Sequence, residues 1–321
     1  MKMLYLPNQY AQQRQREKKR WIWPVHLAME AEWHRKQGHQ VYWDEPQFRF
    51  VVDKIITEPE GIPFLELPEP DRIFTKAYDK KYRNNGNFKH HPGTYIQSAS
   101  GCWWGKCSFC KENNKPYSLR TVDSVIAEIK RCKRLGYREV FDDAASLATG
   151  AWLDEFCEKL KPLDMKFSCN MRFGTHTPYK KLKDAGFRML LYGLESANQD
   201  TLDKVNKGTS INMAISELMY AAECGIEPHI AVIFGYSWET DADAERTLKL
   251  VQMLLRKGYA KTAQASLYDV PEAENERFQK YVPRIYRAAF HPDFWWNRIK
   301  EIRTKDDIKY LWRGVKSCFG I

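Results

Sequence analysis

From Thr94 to Tyr268, short apolar runs alternate regularly with stretches of helical spacing, and this pattern constrains the fold most. Strands that alternate with helices at intervals of roughly 25 to 40 residues are typical of βαβ units and a parallel sheet. Six such units are two fewer than a closed eight-unit barrel contains, so we expect a partial (β/α)6 TIM-like barrel. The predicted strands are Thr94–Ala99, Glu139–Phe141, Met165–Cys169, Arg188–Leu194, Ile230–Phe234 and Thr262–Tyr268.

The residues before this alternation predict a small Rossmann-like α/β domain that ends in a connector. A helix opened by Pro24 and closed by Gly38 lies between short apolar runs, which gives a β-α-β beginning. The segment from Pro59 to Pro92 is rich in Pro, Asn and charge and predicts a long connector, whereas the basic and aromatic C-terminal segment predicts a helical cap. The predicted domains are 1–93, 94–270 and 271–321.

The composition excludes several classes of protein. Of the 321 residues, 43% are hydrophobic, enough for a sizeable core and too many for a wholly disordered chain. No apolar run approaches the ~18 residues of a membrane span, and the N-terminal apolar stretch is too short for a secretory signal. Eight unevenly spaced cysteines do not fit a small disulfide scaffold, so we expect a cytoplasmic protein. A net charge of +10 permits an anionic partner without requiring one.

Three of the cysteines, Cys102, Cys107 and Cys110, fall within nine residues just after the first predicted barrel strand. Loops at that end of barrel strands carry chemistry. Thiolates this close repel one another unless a metal neutralises them, and sulfur ligands suit zinc or an iron–sulfur cluster. A structural zinc site needs four ligands, and His90 and His91 precede the strand at its far end. The spacing therefore favours a cluster, with zinc as the alternative.

The segment Cys107-Ser108-Phe109-Cys110 resembles the end of the Cys-x3-Cys-x2-Cys signature of the radical S-adenosylmethionine (radical SAM) superfamily, with Phe109 at its aromatic position. The first gap departs from this signature, since four residues instead of three separate Cys102 from Cys107. The resemblance implies that the cysteines bind a [4Fe-4S] cluster, whose fourth iron chelates S-adenosyl-L-methionine. It implies an enzyme that reductively cleaves this cofactor to a 5′-deoxyadenosyl radical, which abstracts hydrogen from an unidentified substrate. An electron donor such as flavodoxin or ferredoxin would then be a partner.

The same resemblance suggests cofactor contacts at the ends of the next two strands. Asp142 and Asp143 occupy the position where the family holds the methionine amino group, and an N-cap for the next helix is the alternative. Arg172 follows the third strand, where its guanidinium matches a cofactor carboxylate. An ordinary surface arginine is the alternative for that residue.

The fourth strand ends in Gly193-Leu194-Glu195-Ser196, followed by Lys207 and Gly208, and resembles a segment of radical enzymes related to cobalamin-dependent and methylthio-transferring members. A carboxylate at a strand end inside a barrel is costly unless it binds something. Glu195 and Ser196 are therefore predicted cofactor contacts, with a structural salt bridge as the alternative for Glu195.

The fifth and sixth strands end in segments that depart from the family pattern. Gly235 is predicted to let the backbone approach the adenine, while Glu239 and Thr240 are expected only to start the next helix. The segment Asp269-Val270-Pro271 replaces the family's frequent Pro-Gly-Thr ending. Because that loop normally faces the substrate, we expect an unusual substrate.

The front domain resembles a shortened cobalamin-binding domain. It lacks the Asp-x-His-x-x-Gly ligand motif, because Phe88 stands where the Asp preceding His90 and Gly93 would be. Some relatives bind cobalamin without that histidine. The missing motif makes bound cobalamin possible but not expected, and a cobalamin-dependent radical SAM methyltransferase is kept as an alternative.

The alternative from another class is a zinc-stabilised nucleic-acid-binding protein, which the positive charge and the aromatic residues favour and the lack of a recognised binding motif opposes. The basic stretch Arg14–Arg20 is expected to be a solvated loop, with a phosphate contact left open. An anionic substrate also agrees with the charge, and nucleic acid is not excluded as a partner. The remaining cysteines are expected to be buried core thiols, namely Cys132, Cys157, Cys169, Cys224 and Cys318.

Overall fold

The computed structural model describes residues 1–7, 23–78, 88–268 and 277–319, with side chains described as far as Lys316. The predicted basic loop Arg14–Arg20, the segment Asp269–Pro271 and the side chain of Cys318 lie outside the described residues. The chain divides into two compact units. The first contains Met1–Cys102 and Lys115–Ala145, and the second contains Trp103–Asn114 and Ser146–Ile321.

The first unit begins with a three-stranded parallel sheet and one helix. Its elements are β1 (Lys2–Tyr5), α1 (Val25–Lys36), β2 (Gln40–Trp43) and β3 (Lys54–Ile56). The strand order is β2-β1-β3, the order in which a doubly wound flavodoxin-like sheet begins. Tyr5, Trp23 and Trp43 are almost completely buried in its core. This sheet confirms the predicted Rossmann-like beginning.

The first unit also holds two strands of the larger sheet and a short hairpin pair. Its further elements are β4 (Gly93–Ile96), β5 (Ala99–Ser100), β6 (Ser118–Leu119), α2 (Val122–Arg134) and β7 (Glu139–Asp142). Strands β4 and β7 pair in parallel, with Ile96 opposite Asp142. Thr121 caps α2 by accepting a hydrogen bond from the Ser124 N–H.

The prediction of one strand over Thr94–Ala99 is wrong. Strand β4 ends at Ile96, and Ala99–Ser100 instead pairs antiparallel with Ser118–Leu119. The cause is a hydrogen bond to a residue distant in the chain: the Ser98 N–H donates to the Asp142 carboxylate over 2.9 Å, so it is not available to a neighbouring strand. The cysteine loop consequently lies between the two strands of this short pair and does not directly follow the barrel strand.

The second unit contains four parallel strands separated by helices. Its strands are β8 (Lys166–Met171), β9 (Phe187–Glu195), β10 (Glu227–Phe234) and β11 (Thr262–Leu267). Its helices up to β11 are α3 (Ala151–Leu160), α4 (Tyr179–Ala185), α5 (Gln199–Lys204), α6 (Ile211–Glu223) and α7 (Asp241–Lys257). Thr240 and Asp243 form a capping box at the start of α7.

The six strands of the larger sheet lie in the order β11-β10-β9-β8-β7-β4, which is the reverse of their order in the chain. Strands that are successive in the chain therefore lie side by side in the sheet, which results when each strand is followed by a crossover to the adjacent position. The order confirms the predicted partial (β/α)6 barrel.

The C-terminal segment is helical, as predicted, with α8 (Tyr281–Arg284), α9 (Pro292–Ile299) and α10 (Lys305–Phe319). Phe294 on α9 is buried, whereas Trp296 and Trp312 are exposed. Among the described residues no helix combines the length and the apolar character that crossing a bilayer takes. The predicted core thiols Cys132, Cys157 and Cys169 are buried, but Cys224 is only half-buried because it ends a helix.

Candidate active site

The cysteine loop begins in the first unit with Cys102 and ends in the second with Cys107 and Cys110. None of the three is in a disulfide; Cys107 is buried and the other two are half-buried. Gly101, at φ +71°, lies so close to the backbone that a Cβ there would be 2.7 Å from the Pro116 carbonyl oxygen. The loop therefore needs glycine directly before its first cysteine.

Within the second unit, the loop rests on the segment between α5 and α6. The Ser108 N–H donates to the Val205 carbonyl oxygen over 3.1 Å, and the Cys107 Sγ lies 3.9 Å from the Asn206 carbonyl oxygen. Burial raises the pKa of the Cys107 thiol, while the positive charges of Lys207 and Arg172 oppose this effect. These cations favour the thiolate that a metal would require.

Arg172 follows β8 and contacts the cysteine loop through Trp104. Its guanidinium carbon lies 3.7 Å from the centroid of the Trp104 ring. Its Nη2 donates to the carbonyl oxygens of Lys207 and Gly208, the latter over 2.9 Å. Arg172 is 8% exposed, so the alternative of an ordinary surface arginine is wrong.

Glu195, the last residue of β9, is buried and forms an ion pair with Lys207, whose Nζ lies 2.6 Å from its Oε1. Its φ of +61° is uncommon for a residue with a side chain and typical of functional or tightly constrained positions. The Lys207 Nζ also lies 5.8 Å from the centroid of the Phe109 ring. The salt bridge considered as an alternative for Glu195 is thus present.

Ser196 is completely buried and joins strand β9 to helix α7. Its Oγ accepts hydrogen bonds from the N–H and the Nδ2 of Asn198 and lies 3.4 Å from the Thr247 Oγ1. A polar cavity of about 380 Å³ lies beside this network, with Asn198, Thr201, Lys204, Trp238 and Arg246 in its lining. None of the predicted cofactor contacts lines that cavity.

Two residues after β10, Tyr236 and Glu239, carry buried polar atoms that the sequence did not indicate as a binding site. Glu239 is 5% exposed; its Oε2 accepts the Gly235 N–H, and its Oε1 has no hydrogen-bond partner among the described residues. Burial raises the pKa of Glu239 to about 7. The Tyr236 hydroxyl is likewise buried without a partner in the described part of the chain. Such orphaned polar atoms beside Gly235 fit a polar ligand.

The sequence contained a signal for Glu239, which lies four positions after the glycine at the strand end. Thr240 already caps the start of α7, so an acidic residue before it is not needed for that purpose. The expectation that Glu239 only begins α7 is wrong, since its side chain returns to the Gly235 N–H. Thr240 performs the expected capping.

In the first unit, Asp142 and Asp143 differ in their exposure to solvent. Asp142 is completely buried, accepts the N–H groups of Ser98 and Ala144, and is contacted by the Ser98 hydroxyl. Burial raises the pKa of Asp142, although these hydrogen bonds act in the opposite direction. Asp143 is exposed. The alternative of an N-cap for the next helix is wrong for both, because Gly150 precedes α3.

The donor chemistry of the cysteine loop fits an iron–sulfur cluster, since it offers three thiols outside any disulfide. Within the described ranges, no three His, Cys, Asp or Glu side chains are gathered as ligands of one metal ion. The assignment of the three cysteines as ligands therefore remains a prediction from their spacing.

Comparison with known proteins identifies the class. Residues 96–251 match the model of the Radical SAM superfamily. The match supports the predicted superfamily for this part of the chain.

Two curated relatives are similar over this region. A protein of Methanocaldococcus jannaschii named "putative methylthiotransferase" is 26% identical over 208 residues, 59% of this chain and 44% of that protein. An uncharacterized methyltransferase of Pyrococcus horikoshii is 25% identical over 214 residues, 63% of this chain and 45% of that protein. The chain thus matches less than half the length of each of these relatives.

Among solved structures, the radical S-adenosylmethionine methyltransferase TsrM from Kitasatospora setae, with cobalamin and a [4Fe-4S] cluster bound, resembles the chain with a TM-score of 0.51. The identity is 16%, and the match covers 65% of this chain and 37% of TsrM. At this identity the likeness concerns the fold alone. The expectation that this chain binds no cobalamin finds no support in it, since that neighbour holds cobalamin.

Proposed function

We propose that the chain is a radical SAM enzyme in which Cys102, Cys107 and Cys110 bind a [4Fe-4S] cluster. The observation that supports this most is the buried thiol of Cys107, placed beside Lys207 and Arg172 within a radical SAM domain. With its cofactors bound, such an enzyme cleaves S-adenosyl-L-methionine reductively to a 5′-deoxyadenosyl radical that abstracts hydrogen from substrate. A small reductant of the flavodoxin or ferredoxin type would supply the electron.

The residues of the chain would serve this chemistry by binding and by excluding water. Tyr236, 1% exposed, and Glu239 offer buried polar atoms to S-adenosyl-L-methionine at the end of β10, where Gly235 is predicted to approach the adenine. Asp142, which is buried, and Asp143, which is exposed, are both kept as candidates for the methionine amino group. We retain Phe109, Arg172, Glu195 and Ser196 as proposed cofactor contacts.

The second candidate function is a cobalamin-dependent radical SAM methyltransferase. Its support is the front sheet with the order β2-β1-β3, together with the fold likeness to a methyltransferase that holds cobalamin. The names of the two curated relatives also refer to methyl or methylthio transfer. Under either function we keep the division into domains 1–93, 94–270 and 271–321, and the substrate is left open, with anionic compounds favoured by the net charge.

The test is anaerobic purification followed by measurement of iron, sulfide, zinc and cobalamin. We expect about four irons per chain, and 5′-deoxyadenosine after addition of dithionite and S-adenosyl-L-methionine. One zinc and no iron would instead support the nucleic-acid-binding alternative and overturn both enzymatic proposals. Cobalamin that copurifies in a 1:1 ratio would favour the methyltransferase.

The cysteine assignment is tested with matched variants. Cys107→Ala is expected to abolish iron binding and cofactor cleavage, whereas Cys157→Ala, at another buried cysteine on α3, should retain both. Cys110→Ala and Cys224→Ala form a second pair, because both thiols are half-buried. If Cys107→Ala kept its iron and its cleavage activity, the ligand assignment would be wrong.

A further inference from the structure

The backbone carbonyl oxygens of residues 205–208, between α5 and α6, accept hydrogen bonds from the cysteine loop and from Arg172. Val205 accepts the Ser108 N–H over 3.1 Å. Asn206 accepts the indole Nε1–H of Trp104, also over 3.1 Å. The carbonyl oxygens of Lys207 and Gly208 accept from Arg172.

The Trp104 side chain connects these contacts with one another. One face of its ring carries the Arg172 guanidinium, while a Cβ on Gly208 would lie 2.3 Å from the Trp104 Cζ2. Gly208 also has a φ of +61°, so both its conformation and its lack of a side chain are needed for the indole to reach this position. Trp104 stands in the first cysteine gap, which is one residue longer than in the superfamily signature.

The segment is itself fixed to two strand ends. Lys207 pairs with Glu195 at the end of β9, and Arg172 follows β8. A mostly buried cation with specific hydrogen-bond or ion-pair partners restricts the geometry of the groups that it contacts. The cysteine loop is therefore attached to the sheet through residues 205–208 and not only through its own short turns.

We propose that residues 205–208 form a template that holds the cysteine loop in its metal-binding shape before any metal is present, with Trp104 and Arg172 as positioning residues. The extra residue of the first cysteine gap serves to bring the Trp104 indole onto this template. The metal-binding role rests on the proposed function, whereas the template can be tested on the iron-free chain.

The experiment is alkylation of the iron-free full chain with iodoacetamide, followed by mass spectrometry of the cysteine peptides. The readout is the labelling rate of buried Cys107 relative to half-buried Cys224, which lies at the end of α6. Trp104→Phe keeps a ring under Arg172 but loses one hydrogen bond, so we expect the ratio to rise about fivefold. Trp104→Ala and Gly208→Ala should raise it further, to at least about tenfold.

Matched control variants distinguish a specific rise in the labelling ratio from a general loss of packing. Trp152→Phe changes a half-buried tryptophan that stacks on Phe156 in α3, and Gly258→Ala changes a glycine with φ +82° whose nearest neighbouring atoms would be 3.5 Å away. Neither should change the labelling ratio. An unchanged ratio in Trp104→Phe and Arg172→Lys, or an equal rise in the controls, overturns the template.

Reconstitution with iron and sulfide then distinguishes the two proposals. If the template variants expose Cys107 and also bind less than half of the wild-type iron, both proposals hold. If they expose Cys107 while the wild type binds no iron, the template stands and the proposed function fails. If they expose Cys107 and bind iron fully, the template exists but does not position the ligands, and the inference is overturned.

Discussion

The carboxylate of Glu195 and the ammonium group of Lys207 form a buried pair, 2.6 Å apart and 12 residues apart in the chain, with side chains 7% and 12% exposed. Gly193 makes room for this pair, since a Cβ there would lie 2.1 Å from the Glu195 Oε1. The pair connects the end of β9 with the segment that supports the cysteine loop. Its strength therefore affects both stability and the candidate site.

Replacing Lys207 with methionine should destabilise the chain by about 3–5 kcal/mol, because it leaves a buried carboxylate without its counter-charge. Urea unfolding measures this loss. The double variant Glu195→Gln/Lys207→Met should recover most of it, since no charge is then left unpaired. A single variant as stable as the wild type would show that the pair does not form.

Gly193→Ala should cost roughly 1–3 kcal/mol, because the new methyl group overlaps the ion pair and the surrounding core must shift. Gly314→Ala on α10 is the control, as nothing lies within 4 Å of a Cβ at that position. It should be neutral or stabilising, since alanine is the better helix former. Thermal unfolding of the two variants checks the difference, and equal behaviour would contradict the predicted overlap.

Glu239 should make stability fall as the pH rises. Its folded pKa of about 7 lies above that of an unfolded glutamate, so its contribution is present below about pH 4.5 and is lost as the pH rises through 7. Glu239→Gln, which mimics the protonated form, should therefore be more stable than wild type at pH 8 by roughly 1–3 kcal/mol and equal to it at pH 5. Urea unfolding at both pH values measures this, and a difference that does not depend on pH would refute the explanation.

Glu128, in the first unit, should make stability fall as the pH falls, which is the opposite of the effect of Glu239. Burial alone would raise its pKa, but Arg72 and Arg120, whose nitrogens lie 2.6 and 2.5 Å from its oxygens, outweigh burial and lower the pKa. The stability it contributes is present above the unfolded pKa, near 4.5, and is lost as the pH falls through the lower folded value. Glu128→Gln should destabilise by about 3–5 kcal/mol at pH 7 and by less at pH 3. Denaturant unfolding at the two pH values is the check.

Hydrophobic periodicity predicted most of the sheet, because each parallel strand is a buried apolar run followed by an amphipathic helix. Strand β4 was predicted too long because the bond between Ser98 and Asp142 joins residues 44 positions apart. Helix α6 begins where a local signal in the sequence places it, since Ser210 caps its start through a hydrogen bond from the Met213 N–H.

The candidate site was predictable where chemistry depends on spacing along the chain, as in Cys102, Cys107 and Cys110. It was not predictable where a side chain finds a distant partner. The buried polar atoms of Glu239 and Tyr236 were missed, because only the folded structure shows that the Glu239 Oε1 and the Tyr236 hydroxyl have no hydrogen-bond partner among the described residues.

The sequence by itself determined the parallel sheet and the helical C-terminal segment, because these follow from local periodicity, and its thiol spacing pointed to the superfamily. The tertiary structure decided where Trp104, Arg172 and Lys207 point. Trp104 meets the Asn206 carbonyl oxygen across 102 residues, a contact that only the packing of strands and helices creates. Side-chain direction at such sites depends on which buried charges and hydrogen-bond donors must be satisfied, and that demand exists only once the chain has folded.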